Sequence, residues 1–197
     1  MKKITREEWL NKLTDEYLRP LFTKNGYTIP TNIRLSCSLP SSRAFAKKKV
    51  VGQCWSPKAS ADKTHEIFCS PTESDSQEVA GTLIHELVHA TVGVEHGHRK
   101  PFRDCALRVG LEGKMTATTS SKELIAYLEP AILKLGEYPH AKLDYNSRKK
   151  QKTRNVLVSC QHGCGFKTRA ARSQLGHANL QNCQECEGNP PLTQGSV

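Results

Sequence analysis

No stretch of this 197-residue chain is apolar for long enough to cross a bilayer. The opening residues, Met1-Lys2-Lys3-Ile4-Thr5-Arg6-Glu7-Glu8, turn acidic at once and lack the apolar run of a secretory signal. There is no internal repeat, so a repeat array is excluded, and aromatic residues make up only 6%. With 37% hydrophobic and 24% charged residues, the composition is that of a soluble globular protein. The length suits one moderate core and one small appendage. These features lead to the expectation of a cytoplasmic, monomeric protein without membrane partners. In that compartment the eight cysteines read as metal ligands or buried thiols rather than disulfides.

Against this background one motif stands out, His85-Glu86-Leu87-Val88-His89. Two imidazoles four residues apart on a helix point the same way and can grip one metal ion, and the glutamate between them can activate water. Val79, Leu83, Leu87 and Val88 recur at helical spacing, and Ser74 with Gln77 or Asp75 with Glu78 resembles a capping box. The motif therefore falls inside a helix. Further on, Gly97-His98-Arg99-Lys100-Pro101-Phe102 offers a third imidazole after a glycine that lets the backbone turn back. His98 is preferred as third ligand, with His96 as the alternative. Three protein ligands leave the fourth zinc position open, the arrangement of a catalytic site.

Four cysteines are grouped as Cys160-Gln161-His162-Gly163-Cys164-Gly165 and Cys183-Gln184-Glu185-Cys186, eighteen residues apart. Two close pairs on tight turns joined by a hairpin are the pattern of a zinc ribbon with a closed tetrahedral site. The first pair is spaced by three residues, one more than usual. Gly163 and Gly165 would ease that looser knuckle, and His162 is a conceivable alternative ligand. So short a segment could hardly fold without such a staple. Cys37, Cys54, Cys69 and Cys105 are scattered in apolar surroundings and read as buried structural thiols.

A coarse pass gives the architecture. Thr5-Arg6-Glu7-Glu8 caps a helix with Trp9, Leu10, Leu13, Tyr17, Leu18 and Leu21 on one face, ending near Asn25-Gly26. Strand-like segments follow at Asn32 to Ser38, Lys49 to Trp55 and His65 to Cys69. After the motif helix come a shorter helix from about Pro101 to Val109 and a last one capped at Ser120-Ser121-Lys122-Glu123, interrupted at Pro130. The expected fold class is α+β: a compact zincin-like domain of minimal gluzincin type over residues 1–140, with a small sheet and a metal-bearing helix. A basic linker at 141–156, a zinc ribbon at 157–190 and a tail at 191–197 complete the chain. The segment His65 to Cys69 is the expected strand beside the cleft, where an extended polypeptide could pair with a sheet edge. His65 itself reads as a surface histidine. Tyr127 and Tyr138 are available to stabilise an oxyanion, but each reads equally as packing or surface.

Charge is uneven. The net balance is +10, and residues 141–197 hold nine Lys/Arg against three Asp/Glu. Arg148, Lys149, Lys150, Lys152 and Arg154 form the densest cluster, and Lys167, Arg169 and Arg172 lie inside the ribbon. This footprint suits nucleic-acid phosphates contacted without sequence preference, since few aromatics are present there for stacking.

The span from His85 to His89, followed by Gly97-His98 and by Phe102 four residues beyond His98, resembles the SprT/Spartan family of zinc peptidases, with Arg99 where the family commonly has glycine. Chains of that family often carry a zinc ribbon after the peptidase domain, so the resemblance covers both parts. It implies a catalytic Zn2+ on His85, His89 and His98, and a structural Zn2+ on Cys160, Cys164, Cys183 and Cys186. It further implies an endopeptidase that acts on DNA-bound or DNA-crosslinked protein, which would be nucleoid-associated in a bacterial or phage setting. The chemistry expected is hydrolysis by metal-activated water, with Glu86 taking the proton and passing it to the departing amine. The alternative is a nucleic-acid-binding accessory protein, acting for example on transcription, whose metal sites only hold the fold.

Overall fold

The capping box at Thr5 and Glu8 forms in full: Thr5 N–H donates to Glu8 Oε2 at 2.7 Å and Glu8 N–H to Thr5 Oγ1 at 3.1 Å. It starts helix α1 (Arg6–Leu13), which widens into a π turn at Thr14–Leu18 and resumes as α2 (Arg19–Lys24). Pro20, which has no N–H to give back to the preceding turn, follows the widening directly. The computed structural model describes residues 4–40, 50–144, 155–162, 164–175, 182–188 and 190–194. They belong to two units, residues 1–145 and 146–197.

In the first unit the strands β1 (Ile33–Cys37), β2 (Gly52–Trp55) and β3 (His65–Cys69) form a sheet in the order β1-β3-β2. Strand β3 is parallel to β1, with Leu35 opposite Ile67, and antiparallel to β2, with Gly52 opposite Cys69. It is therefore the central strand. Its backbone is used on both sides, so the edge next to the motif helix belongs to β2 and not to the expected His65–Cys69. His65 also departs from expectation. It shares the inward face of β3 with Ile67 and Cys69 and is buried, with burial holding its pKa below the usual imidazole range.

The motif helix α3 (Ser76–Val92) begins where Asp75 Oδ1 accepts Glu78 N–H at 2.9 Å and ends at Gly93, whose φ of 98° only glycine adopts readily. Val79, Leu83, Ile84, Leu87 and Val88 are fully or almost fully buried, which places α3 in the middle of the core. Packed with them are Trp9, Leu10, Leu13 and Phe22, and burying each such side chain stabilises the fold by roughly 1.5–3 kcal/mol. Trp9 also donates from Nε1 to the Gly136 carbonyl at 2.8 Å and meets Tyr138 edge to face.

Helix α4 (Lys100–Arg108) is followed by a hairpin absent from the sequence-based expectation, β4 (Leu111–Lys114) with β5 (Ala117–Ser120). Helix α5 (Lys122–Leu135) is capped by Ser121, whose Oγ accepts Leu124 N–H at 3.2 Å. It runs through Pro130 without the expected interruption. Pro130 lies on the exposed side, where water can satisfy the carbonyl it leaves unpaired, while Leu128, Ala131 and Ile132 hold the helix to the core. No helix among the described residues is long and apolar enough to cross a membrane.

In the second unit β6 (Val156–Ser159) pairs antiparallel with β7 (Lys167–Ala170) and with β8 (Thr193–Gln194). Among the described residues of this unit, Val156, Val158 and Ala170 are buried, together with Cys160 and Cys183.

Candidate metal centre

Helix α3 carries His85 and His89 on one side, and the chain then reverses so that a third imidazole faces them. Gly93, a short turn at Val94–His96 and Gly97, with φ of 51°, make the reversal. It brings His98 Nε2 to 3.2 Å from His85 Nε2 and 3.3 Å from His89 Nε2. Two nitrogens bound to one zinc at ~2.0–2.1 Å and the tetrahedral angle stand about 3.3–3.4 Å apart, so the three donors already have the spacing of a zinc site. His96 is not among the converging groups, which selects His98 over it. Beneath the three rings lies Phe102, fully buried, with centroids at 4.8, 4.4 and 4.9 Å from those of His85, His89 and His98.

All three imidazoles are held below their usual pKa. Burial, then the neighbouring His89 and His98, pull His85 down to about 3; burial, then His98, pull His89 down to about 4. Burial lowers His98 as well. Each ring is neutral at physiological pH and has a lone pair to offer a metal. His85 Nδ1, on the far side of its ring, lies 2.8 Å from Thr118 Oγ1 on β5.

Glu86 is buried at 6% exposure. Burial pushes its carboxyl up to about 8, opposed by a hydrogen bond from the Cys54 backbone N–H. A cation on the adjacent imidazoles would draw it back toward the ionised form. Strand β2 comes close enough for this because residue 52 is glycine: a Cβ there would lie 2.6 Å from Glu86 Oε1 and 2.7 Å from Thr82 Cγ2.

The triad opens into a cleft of about 650 Å³, floored by α3 and walled by residues 50–54 on one side and 116–120 on the other. Among the described residues, β2 and β5 each have a single strand neighbour, so each wall carries a strand edge, that of β2 partly engaged by the Cys54 N–H on Glu86. Neither Tyr127 nor Tyr138 lines this cleft: Tyr127 donates its hydroxyl to the Tyr17 carbonyl at 3.0 Å, and Tyr138 is buried against Trp9. Of the four scattered cysteines, Cys69 and Cys105 are buried as expected. Cys37 and Cys54 are only half-buried, because Cys37 closes β1 at the sheet's end and Cys54 stands in the cleft wall.

In the second unit Cys160, Cys164, Cys183 and Cys186 converge. Cys160 Sγ is 3.6 Å from Cys186 Sγ, and Cys164 Sγ is 3.6 Å from Cys183 Sγ. Sulfurs on one zinc at ~2.3 Å stand about 3.7–3.8 Å apart, so this set too has metal spacing. The backbone N–H of Phe166 is the main cause lowering the Cys164 thiol to about 7. His162 is exposed and contributes its backbone N–H, 3.4 Å from Cys160 Sγ, rather than its ring. Gly165, with φ of 76°, provides the left-handed step of the wider knuckle, whereas Gly163 lies outside the described residues.

Both groups can bind a metal ion, and their donor types suit zinc. Lys167, Arg169 and Arg172 are exposed, the first two on the same face of β7. Arg148, Lys149, Lys150, Lys152 and Arg154 lie outside the described residues. The residues that sequence reasoning missed are Thr118 and Gly52. The signal for Thr118 was the β-branched Thr116, Thr118 and Thr119 after Gly113, and Gly52 within the strand-like segment Lys49 to Trp55 could have been read as a point of close backbone approach. No family model, curated protein or solved structure matches the chain.

Proposed function

We propose that this chain is a zinc-dependent endopeptidase of SprT/Spartan type with a zincin-like first unit and a zinc-ribbon second unit, acting on DNA-bound or DNA-crosslinked protein. The observation that carries the proposal is the convergence of three neutral imidazoles at zinc spacing with a buried carboxylate on the next residue. A site that only held the fold would have no use for Glu86 in that position, where burial opposes its charge.

Zinc at the triad would supply an activated water and polarise a carbonyl. The chain's own groups then divide the work. His85, His89 and His98 would hold the ion, with the cleft on the side they do not occupy. The Glu86 carboxylate, oriented by the Cys54 N–H, accepts a proton from the attacking water and delivers it to the amine that leaves. An extended substrate would be held by backbone hydrogen bonds to the edges of β2 or β5, which requires no particular side chain and suits a peptidase of broad preference. The exposed Lys167, Arg169 and Arg172, with the basic run Arg148 to Arg154 earlier in the sequence, support recruitment to phosphate-rich nucleic acid.

The test is cleavage of a DNA-binding protein by the zinc-loaded chain, with and without DNA, beside Glu86→Gln. The expected outcome is DNA-dependent cleavage by the wild type and none by the variant, with metal content equal in both. Intact metal and DNA binding with no cleavage or self-cleavage by either form would favour a nucleic-acid-binding accessory protein.

A further inference from the structure

We propose that Thr118, and through it the β4–β5 hairpin, is part of the metal centre: a positioning residue that accepts the Nδ1 proton of the ligating form of His85 and fixes the orientation of its ring. The inference rests on the metal-site part of the proposed function and is independent of peptide hydrolysis.

A neutral imidazole has one N–H and one lone pair, and which nitrogen carries which is decided by the partner of the other. Thr118 Oγ1 stands 2.8 Å from His85 Nδ1. When Nδ1–H donates to that oxygen, the lone pair is on Nε2, the atom that lies 3.2 Å from His98 Nε2 at the convergence point. The opposite tautomer would place a hydrogen there and block ligation. A hydroxyl can donate or accept, so a metal that takes the Nε2 lone pair puts the proton on Nδ1, and Thr118 Oγ1 is in place to accept it and hold the ring in the ligating orientation.

The hydroxyl is held by a strand. In β5, Thr118 and Ser120 alternate onto the face toward α3: Thr118 meets His85, and Ser120 Oγ would be 3.0 Å from a Cβ at Gly81. Four residues of helix advance ~6 Å and two residues of strand ~6.8 Å, so the two meetings are in step. Four register pairs from Leu111↔Ser120 to Lys114↔Ala117 tie β5 to β4. A ligand partner fixed on regular structure holds its geometry better than one on a loop.

The experiment uses the full chain with Thr118→Val, which keeps the shape and removes the acceptor, and Thr118→Ser, which keeps the acceptor. Zn2+ affinity is measured by competition with a chromophoric chelator. Co2+ spectra tell the two sites apart, because thiolate-to-metal absorption marks the four-cysteine site and is absent from the imidazole site. Thr118→Val should weaken the imidazole site by about 10–100-fold and leave the four-cysteine site unchanged, while Thr118→Ser should return to within about threefold of wild type. Thr118→Val binding within about twofold of wild type would overturn the proposal. So would a loss that Thr118→Ser fails to recover, since that would assign the effect to packing. A chain that binds metal as expected yet cuts nothing would sink the peptidase reading and leave this one standing.

Discussion

Gly52 and Glu86 are in such close approach that a side-chain carbon on the first would stand 2.6 Å from a carboxylate oxygen of the second. The helix and the strand can meet there only because residue 52 has no Cβ. Gly52→Ala must therefore swing the carboxylate away from the Cys54 N–H or push β2 off α3. Overpacking of this kind typically costs about 1–3 kcal/mol, and the loss should appear in thermal melts. Hydrolysis should fall by more than about tenfold with the imidazole metal retained, since general-base catalysis contributes about 10²–10⁴-fold. Full activity in Gly52→Ala would show that Glu86 needs no fixed orientation.

Metal removal should separate the two units. The first has a core of large, fully buried side chains, whereas among the described residues of the second the buried apolar ones are Val156, Val158, Ala170 and two of its own candidate ligands. Segments of this size seldom fold without a staple. Cys183→Ser should abolish the four-cysteine site and, by amide hydrogen exchange, protection of β6 and β7. Protection in α3 and the affinity of the imidazole site should be unchanged.

The metal-free chain should show opposed pH dependences in its first unit. His85 and His89 are lowered from 6.5 to about 3 and about 4, so between those values and 6.5 the unfolded chain binds more protons than the folded one, and stability falls on acidification. Glu86 is raised from 4.5 to about 8, so within that interval the folded chain binds the extra proton and stability falls as pH rises. Glu86→Gln should remove the second arm and flatten the melting temperature between pH 4.5 and 8 on the alkaline side. An unaltered profile in the variant would mean that the carboxyl is not desolvated as its burial indicates.

Nucleic-acid binding should be electrostatic. Removing the exposed Lys167 and Arg169 together should reduce the slope of log affinity against log salt by about 0.7–0.9 for each phosphate these side chains neutralise, equally for different sequences. An unchanged slope would mean that other cations of the chain meet the phosphates.

The helices and the three strands of the first sheet were legible because local signals coincide with them. Asp75 caps where the periodic Val79, Leu83 and Leu87 begin, and His65–Cys69 alternates inward and outward along its whole length. That same alternation puts His65 on the face of Ile67 and Cys69, so its burial was readable from strand period although its polarity suggested surface. The hairpin escaped because its four-residue strands, Leu-Glu-Gly-Lys and Ala-Thr-Thr-Ser, hold Leu111 as their one large apolar residue and carry little hydrophobic pattern, and their place is decided by what they pack on. Pro130 does not break its helix because a rule about lost hydrogen bonds says nothing of helices held from their other face. Among the site residues, ligands with fixed spacing could be found by counting. Thr118 touches His85 across thirty-three positions of sequence, a distance over which no spacing rule applies.

The two candidate metal sites differ in the softness of their donors, one all nitrogen and the other all sulfur. Thiophilic ions such as Cd2+ or Cu+ should lodge at the cysteines and spare the imidazoles, and oxidants that join thiols should strike the same end. Oxidation of those thiols would take the donors from one unit while the imidazoles of the other kept theirs, so that the two halves of this chain would fail separately and in a set order.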